Sequence, residues 1–108
     1  MSVKSVKQRE GSARQEGMGS ATVFTCDVNP AAKEVYLVGE FNSWNIRADR
    51  MTKTKDGFRK TLKLPPGEYQ YKFLIDGVWH HDPSAAKQVH NAFGTTNSVV
   101  RVRDTSDR

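Results

Sequence analysis

Apolar and β-branched residues recur along the chain in short runs that are separated by turn-forming residues. The runs cover residues 22–26, 35–38, 58–64, 69–75 and 98–102. The turn signals between them are Asn29-Pro30, Asp56-Gly57, Pro65-Pro66-Gly67 and Asp76-Gly77. Short strands with turns every ~8–12 residues are typical of a β-sandwich. The pattern therefore predicts an all-β sandwich of about seven to eight short strands.

The two ends of the chain lack this pattern. Residues 1–20 contain almost nothing to bury, and residues 104–108 read DTSDR. We expect a disordered N-terminal tail over 1–20, the sandwich over 21–103 and a C-terminal tail over 104–108. Residues 82–92 contain Pro83 and show no periodicity, which favours a loop.

The alternation within residues 67–75 indicates which side chains face the core. Tyr69, Tyr71, Phe73 and Ile75 share one face, and Gln70, Lys72 and Leu74 share the other. Four large apolar side chains at about 1.5–3 kcal/mol each make the first face the buried one.

A two-residue hairpin at Asp76-Gly77 extends this assignment to the next strand. It pairs Ile75 with Val78, Leu74 with Trp79, Phe73 with His80 and Lys72 with His81. Because cross-strand partners share a face, Val78 is expected to point inward and Trp79 outward beside Lys72. An exposed indole next to a lysine indicates a ligand site. The structural alternative is an edge lysine that limits aggregation and a tryptophan that shields the sheet.

Two loops carry further candidate binding residues. Phe41-Asn42-Ser43-Trp44-Asn45 sets an indole among amide and hydroxyl groups, which suits the apolar face and hydroxyl rim of a sugar. The alternative is that Phe41 plugs the end of the sandwich and Trp44 covers an edge. In Phe93-Gly94-Thr95-Thr96-Asn97, Thr95 and Asn97 offer polar groups on one side of an extended chain. The alternative there is an ordinary turn with a capping asparagine.

Charge and composition narrow the classes of partner. The net charge is +5, but the signs are interspersed, so we expect a mixed solvated surface rather than a nucleic-acid site. The apolar runs are far shorter than the ~20 residues that span a bilayer, and the N-terminus has no apolar signal region, so no membrane partner is expected. The single cysteine, Cys26, excludes an internal disulfide, and a reducing cytoplasmic compartment is the expectation.

Few side chains are placed in sequence to form a catalytic or metal-binding set. His80 and His81 are neighbours on a predicted strand and therefore point to opposite faces, and His90 has no acidic cluster near it. No phosphate-binding glycine loop, nucleophile elbow or zinc spacing occurs. We therefore expect no enzyme, no catalytic residues, no metal and no cofactor.

Four segments taken together resemble a known family. They are residues 34–44 (EVYLVGEFNSW), 64–73 (LPPGEYQYKF), 75–83 (IDGVWHHDP) and 93–100 (FGTTNSVV). Their order and content resemble a family-48 carbohydrate-binding module, similar to the glycogen-binding domain of AMP-activated protein kinase β subunits. They are also similar to the N-terminal early-set domain of isoamylases and branching enzymes. The resemblance covers about residues 21–103.

The resemblance implies an immunoglobulin-like sandwich that binds α-1,4-linked glucans such as glycogen, starch and maltooligosaccharides. Trp44 and Trp79 fall on the stacking tryptophans of the family, and Lys72, Thr95 and Asn97 fall on residues that bond sugar hydroxyls. Phe93 stands where the kinase modules carry a leucine that projects at the ligand. The expected partner is an α-glucan, together with a glycogen-metabolising enzyme or kinase. The alternative function is a sandwich that anchors a protein partner through its exposed ring and binds no sugar.

Overall fold

The structure is a computed structural model that describes residues 19–103. Eight strands and one 3-10 helix make up the fold, and no α-helix occurs within the described range. The strands are β1 (Ser20–Cys26), β2 (Val35–Gly39), β3 (Thr52–Lys53), β4 (Phe58–Leu64), β5 (Gly67–Ile75), β6 (Val78–His80), β7 (Lys87–His90) and β8 (Thr96–Val102). The 3-10 helix, Glu40–Asn42, follows β2 directly. The expectation of an all-β sandwich is confirmed.

The strands form two antiparallel sheets. One sheet has three strands in the order β1-β4-β3. The other has five strands in the order β2-β5-β8-β7, with β6 also paired to β5. The nine-residue β5 is therefore central, since its second half pairs with β2 and β6 and its first half with β8.

The core lies between the two sheets and is rich in aromatic rings. Tyr71 and Phe73 of β5 are 3% and 0% exposed, which confirms the predicted buried face. Phe24 of β1 lies 5.2 Å from Tyr71 between ring centroids, in an edge-on arrangement. The other members of the cluster are Cys26, Ala32, Val35, Leu37, Met51, Phe58, Leu64, Ile75 and Val102.

The hairpin between β5 and β6 has the predicted register. Leu74 pairs with Trp79 and Phe73 pairs with His80. Asp76 and Gly77 both have positive φ, 48° and 84°, as a two-residue type I′ turn requires. The Asp76 carboxylate accepts backbone N–H bonds from Lys33 and Glu34 at 3.0 and 2.9 Å, which ties the turn to the segment before β2.

Four details differ from the predictions. Val78 pairs with Ile75 as predicted but is 57% exposed rather than buried, because it follows the turn directly at the start of the three-residue strand β6. The predicted pair Lys72–His81 does not form, since β6 ends at His80. Asp82 then turns toward β8, where its backbone N–H donates to Ser98 Oγ at 2.7 Å.

The third difference is β7, which lies inside the segment 82–92 that was predicted to be a loop. Its backbone pairs with β8 from Lys87↔Val99 to His90↔Thr96. Three of its four side chains are exposed, so the strand shows no apolar alternation in sequence. At the N-terminus, β1 begins at Ser20, one residue inside the segment assigned to the tail. Residues 1–18 and 104–108 of the two predicted tails lie outside the described residues.

Candidate functional site

A concave, solvent-open groove of about 640 Å³ is lined by side chains from four parts of the chain. This volume falls within the range of about 300–1,000 Å³ that is usual for ligand sites. The lining includes all six side chains that the sequence proposed for sugar binding, namely Trp44, Lys72, Trp79, Phe93, Thr95 and Asn97. It also includes Glu40, Gln70 and Asn91, which the sequence reasoning did not select.

The β5–β6 hairpin supplies the centre of the groove. Lys72 and Leu74 point away from the core, and Trp79 lies opposite Leu74 on the same face. Trp79 is 47% exposed. The hairpin register thus sets a half-exposed indole and a lysine on one surface of the five-stranded sheet.

The loop after β2 holds the second indole through a left-handed backbone. Ser43 and Trp44 have φ values of 56° and 59°, a conformation that costs on the order of 1–3 kcal/mol per non-glycine residue. The Trp44 N–H donates to Gly39 O at 2.8 Å. Asn42 fastens the loop, since its amide donates to Leu37 O at 3.0 Å and to Asp49 Oδ2 at 2.8 Å. Such strain persists only where the surroundings hold it, and here it directs Trp44 into the groove.

Phe41 and Trp44 belong to the same loop but have different surroundings. Phe41 packs on the core, with its ring centroid 5.4 Å from that of Phe24, as the structural alternative had it. Gly39 makes this packing possible, since a Cβ there would lie 2.9 Å from Phe41 Cζ and 2.7 Å from Tyr71 Cβ. Trp44 instead lines the groove and is 37% exposed.

The loop between β7 and β8 carries the remaining candidates and is organised by Asn91. Asn91 Oδ1 accepts the backbone N–H groups of Phe93 and Thr95 at 2.9 and 3.1 Å. Gly94 takes a φ of 80° within this turn. The turn leaves the Phe93 ring 90% exposed at the rim of the groove.

A continuous chain of hydrogen bonds links the polar side chains of the groove. Lys72 Nζ donates to Thr95 Oγ1 at 3.2 Å, and Asn91 Nδ2 donates to the same oxygen at 2.7 Å. Asn91 Nδ2 also donates to Asn97 Oδ1 at 3.1 Å, and Asn97 Nδ2 donates to Gln70 Oε1 at 3.0 Å. Asn97 is only 7% exposed, so it lies at the base of the groove and Thr95 and Lys72 lie above it.

The groove combines flat apolar rings with fixed donors and one carboxylate. Glu40 Oε1 accepts the Gln70 backbone N–H at 2.8 Å, which leaves the other carboxylate oxygen for a ligand hydroxyl. Lys72 supplies the opposite charge, so the lining carries one acidic and one basic group. This balance suits a neutral ligand with many hydroxyl groups.

The structure gives little support for metal or thiol chemistry. Between residues 19 and 103, no group of three His, Cys, Asp or Glu side chains is placed to hold a metal ion. Burial raises the pKa of the Cys26 thiol, which keeps it protonated. No helix in the same range is long and apolar enough to cross a membrane.

Three residues of the groove, Glu40, Gln70 and Asn91, were not predicted from the sequence. For two of them the sequence holds a signal that could have identified them. Gln70 shares the outward face of β5 with Lys72, so alternation alone could have selected it. Asn91 precedes Phe93-Gly94, and an asparagine two or three residues before a turn glycine is typical of a side chain that caps its own loop. Glu40 had no such signal, because its position depends on the 3-10 helix after β2.

The fold and the groove together define a two-sheet β-sandwich with an open groove lined by aromatic and polar side chains. The chain belongs to the family described as the glycogen recognition site of AMP-activated protein kinase, whose model matches residues 21–108.

Two relatives are named as kinase subunits. The chain is 46% identical over 71 residues to the pig protein (Sus scrofa) named 5'-AMP-activated protein kinase subunit beta-1, a match that covers 66% of this chain and 56% of that one. It is 45% identical over 73 residues to the rat (Rattus norvegicus) subunit beta-1, over 68% of this chain and 26% of that one. The chain thus spans only part of the length of these relatives.

A solved structure supports the same fold. The crystal structure of maltogenic amylase from S. marinus superposes with a TM-score of 0.61 at 30% identity. The match covers 79% of this chain and 14% of the amylase chain.

Proposed function

We propose that the groove binds α-1,4-linked glucans, such as glycogen, starch and maltooligosaccharides, without changing them chemically. The single observation that carries this proposal is that all six predicted binding residues line one groove. Trp44 and Trp79 stack on glucose rings, and Phe93 adds an apolar contact at the rim. Lys72, Thr95 and Asn97 hydrogen-bond to hydroxyl groups.

The magnitudes favour weak, reversible binding. If each indole removes ~100 Å² of apolar surface from water, each stacking contact contributes about 2.5 kcal/mol before costs. Each polar contact adds about 1 kcal/mol net. The lost rigid-body freedom and the ordering of a flexible sugar cost several kcal/mol or more. The balance is about −4 kcal/mol, which corresponds to affinity near the millimolar range.

The family relationship extends the proposal to partners and location. The relatives are named as subunits of a kinase, and the superposed structure is an amylase. We propose that the sandwich brings a kinase or a glycogen-metabolising enzyme to glucan. Cys26, a free and buried thiol, suits the cytoplasmic compartment that we propose for it.

Affinity electrophoresis in native gels tests the function. The protein is expected to migrate more slowly in a gel that contains glycogen than in a plain gel. Dextran at equal mass is the control, since it is also a neutral glucan but is α-1,6-linked. Equal mobility in the glycogen gel and the plain gel would exclude the proposal.

A further inference from the structure

Asn91 makes more side-chain hydrogen bonds than any other side chain that lines the groove. Its Oδ1 accepts two backbone N–H groups, from Phe93 and Thr95. Its Nδ2 donates to Thr95 Oγ1 at 2.7 Å and to Asn97 Oδ1 at 3.1 Å. One amide therefore contacts three of the candidate binding residues.

These bonds fix the direction of the hydrogen bond that Thr95 can offer. A threonine hydroxyl has two acceptor lone pairs and one proton. Lys72 Nζ and Asn91 Nδ2 both donate to Thr95 Oγ1, and neither group can accept. With both lone pairs of Thr95 Oγ1 occupied, its own proton is left to donate to a ligand.

We infer that Asn91 is a positioning residue, which holds Phe93 at the rim of the groove and makes Thr95 a hydrogen-bond donor to a glucan oxygen. The inference rests on the proposed function, since it concerns how the same groove meets its sugar. The oxygens of a glucan that accept a bond include its hydroxyl, ring and glycosidic oxygens. Lys72 is also a pure donor, so the Thr95 side of the groove presents donors while Glu40 presents the acceptor.

The substitution Asn91→Asp separates the two tasks of this side chain. Aspartate keeps an oxygen for the N–H groups of Phe93 and Thr95, so the turn is retained. It cannot donate to Thr95 Oγ1 or to Asn97 Oδ1, and the Thr95 proton turns to the new carboxylate instead of the ligand. Asn91→Asp is therefore expected to weaken the binding of maltoheptaose roughly fivefold to tenfold, as is Thr95→Val, which lacks the hydroxyl.

A double-mutant cycle distinguishes positioning from a general loss of structure. In the Thr95→Val background, Asn91→Asp is expected to cost at most about half of its fold-change in the unmodified protein, because the bond that it redirects is already absent and only the bond to Asn97 Oδ1 remains to be lost. In a Trp44→Phe background it is expected to cost the full fivefold to tenfold. A merely structural effect would be the same in both backgrounds.

Asn29→Asp is the matched control. Asn29 also accepts a backbone N–H two residues on, from Ala31 at 3.1 Å, but it does not line the groove. We expect this variant to bind maltoheptaose like the unmodified protein. If Asn91→Asp also binds like the unmodified protein, or if its full fivefold to tenfold cost persists in the Thr95→Val background, the inference is wrong while the proposed function stands. If the unmodified protein does not bind maltoheptaose at all, both are wrong.

Discussion

Two groups of aromatic side chains lie on opposite sides of the five-stranded sheet, one in the core between the two sheets and one around the groove. The inner group contains Phe24, Phe41, Tyr71 and Phe73, whose ring centroids lie 5.2–6.4 Å from their neighbours. The outer group contains Trp44, Trp79 and Phe93, which are 37%, 47% and 90% exposed. Within residues 19–103, no ring of the outer group contacts another ring of the chain.

The comparison shows that the same kind of side chain serves two purposes. The inner rings pack against one another and stabilise the sandwich by removing apolar surface from water. The outer rings leave the same kind of surface exposed around a groove whose polar groups are already fixed by hydrogen bonds. Substitutions in the inner group should therefore change stability, and substitutions in the outer group should change binding.

The largest expected effect is on the stability of the protein, and it comes from substitutions in the inner group. Phe73→Ala removes a ring that is 0% exposed and should lower the free energy of unfolding by about 3–5 kcal/mol. Urea denaturation measures this change. Phe93→Ala, at a ring that is 90% exposed, should shift the same quantity by no more than about 0.5 kcal/mol. Comparable losses in the two variants would remove the distinction between the groups.

The second effect is on binding by the outer group. Trp79→Ala should weaken glycogen binding tenfold or more, because it removes a stacking surface worth about 2.5 kcal/mol before costs. Its urea denaturation midpoint should stay close to that of the unmodified protein. Val23→Ala is the control, since Val23 is 49% exposed on the other sheet. Unchanged binding by Trp79→Ala would show that the indole does not stack on sugar.

The third effect follows from the ionisation of Tyr71, one ring of the inner group. Its pKa lies far above the usual value, mainly because the side chain is buried and also because its hydroxyl donates to Asp82 Oδ2 at 2.6 Å. Above about pH 10 the unfolded chain loses this proton and the folded chain keeps it, so the Tyr71 contribution to stability is full below that pH and is lost above it.

The loss should approach about 1.4 kcal/mol per pH unit, read from unfolding curves between pH 9 and pH 11. Tyr71→Phe removes the titrating group, and its stability should fall less steeply across this interval. Identical slopes for the two proteins would contradict the assignment.

The smallest effect concerns the charge beside the outer rings. Lys72→Met keeps the stem of the side chain and removes the donor to Thr95 and to the ligand, so the affinity for maltoheptaose should weaken roughly fivefold.

Because a glucan is neutral, the affinity of the unmodified protein should change less than about twofold between ~50 and ~200 mM salt. A steep salt dependence would instead indicate a polyanion as the ligand.

The sequence was informative wherever local rules decide the geometry. The turn at Asp76-Gly77 set the register that places Trp79 beside Lys72, and strand alternation identified Tyr71 and Phe73 as buried. The sequence was uninformative where the geometry depends on backbone that is distant along the chain. β7 forms because β8 offers it a partner, and its own side chains remain mostly exposed.

The site follows the same division. The residues of the groove could be proposed from their types and from family resemblance, but the direction of Trp44 depends on the left-handed backbone at Ser43 and Trp44. That conformation is held by Asn42, through bonds to Leu37 and Asp49 that no local pattern encodes. Val78 is on the predicted face but exposed, because alternation gives the side of a strand and does not tell how much of that side is buried.

The central claim is that both indoles meet the same glucan, and two single-tryptophan variants test it most directly. Trp44→Phe leaves only Trp79 as a fluorescent indole, and Trp79→Phe leaves only Trp44. Titration of each variant with maltoheptaose should give a blue shift of tryptophan emission that saturates, because sugar covers the remaining half-exposed ring. If one of the two variants still binds maltoheptaose but its tryptophan emission does not change, the claim is contradicted.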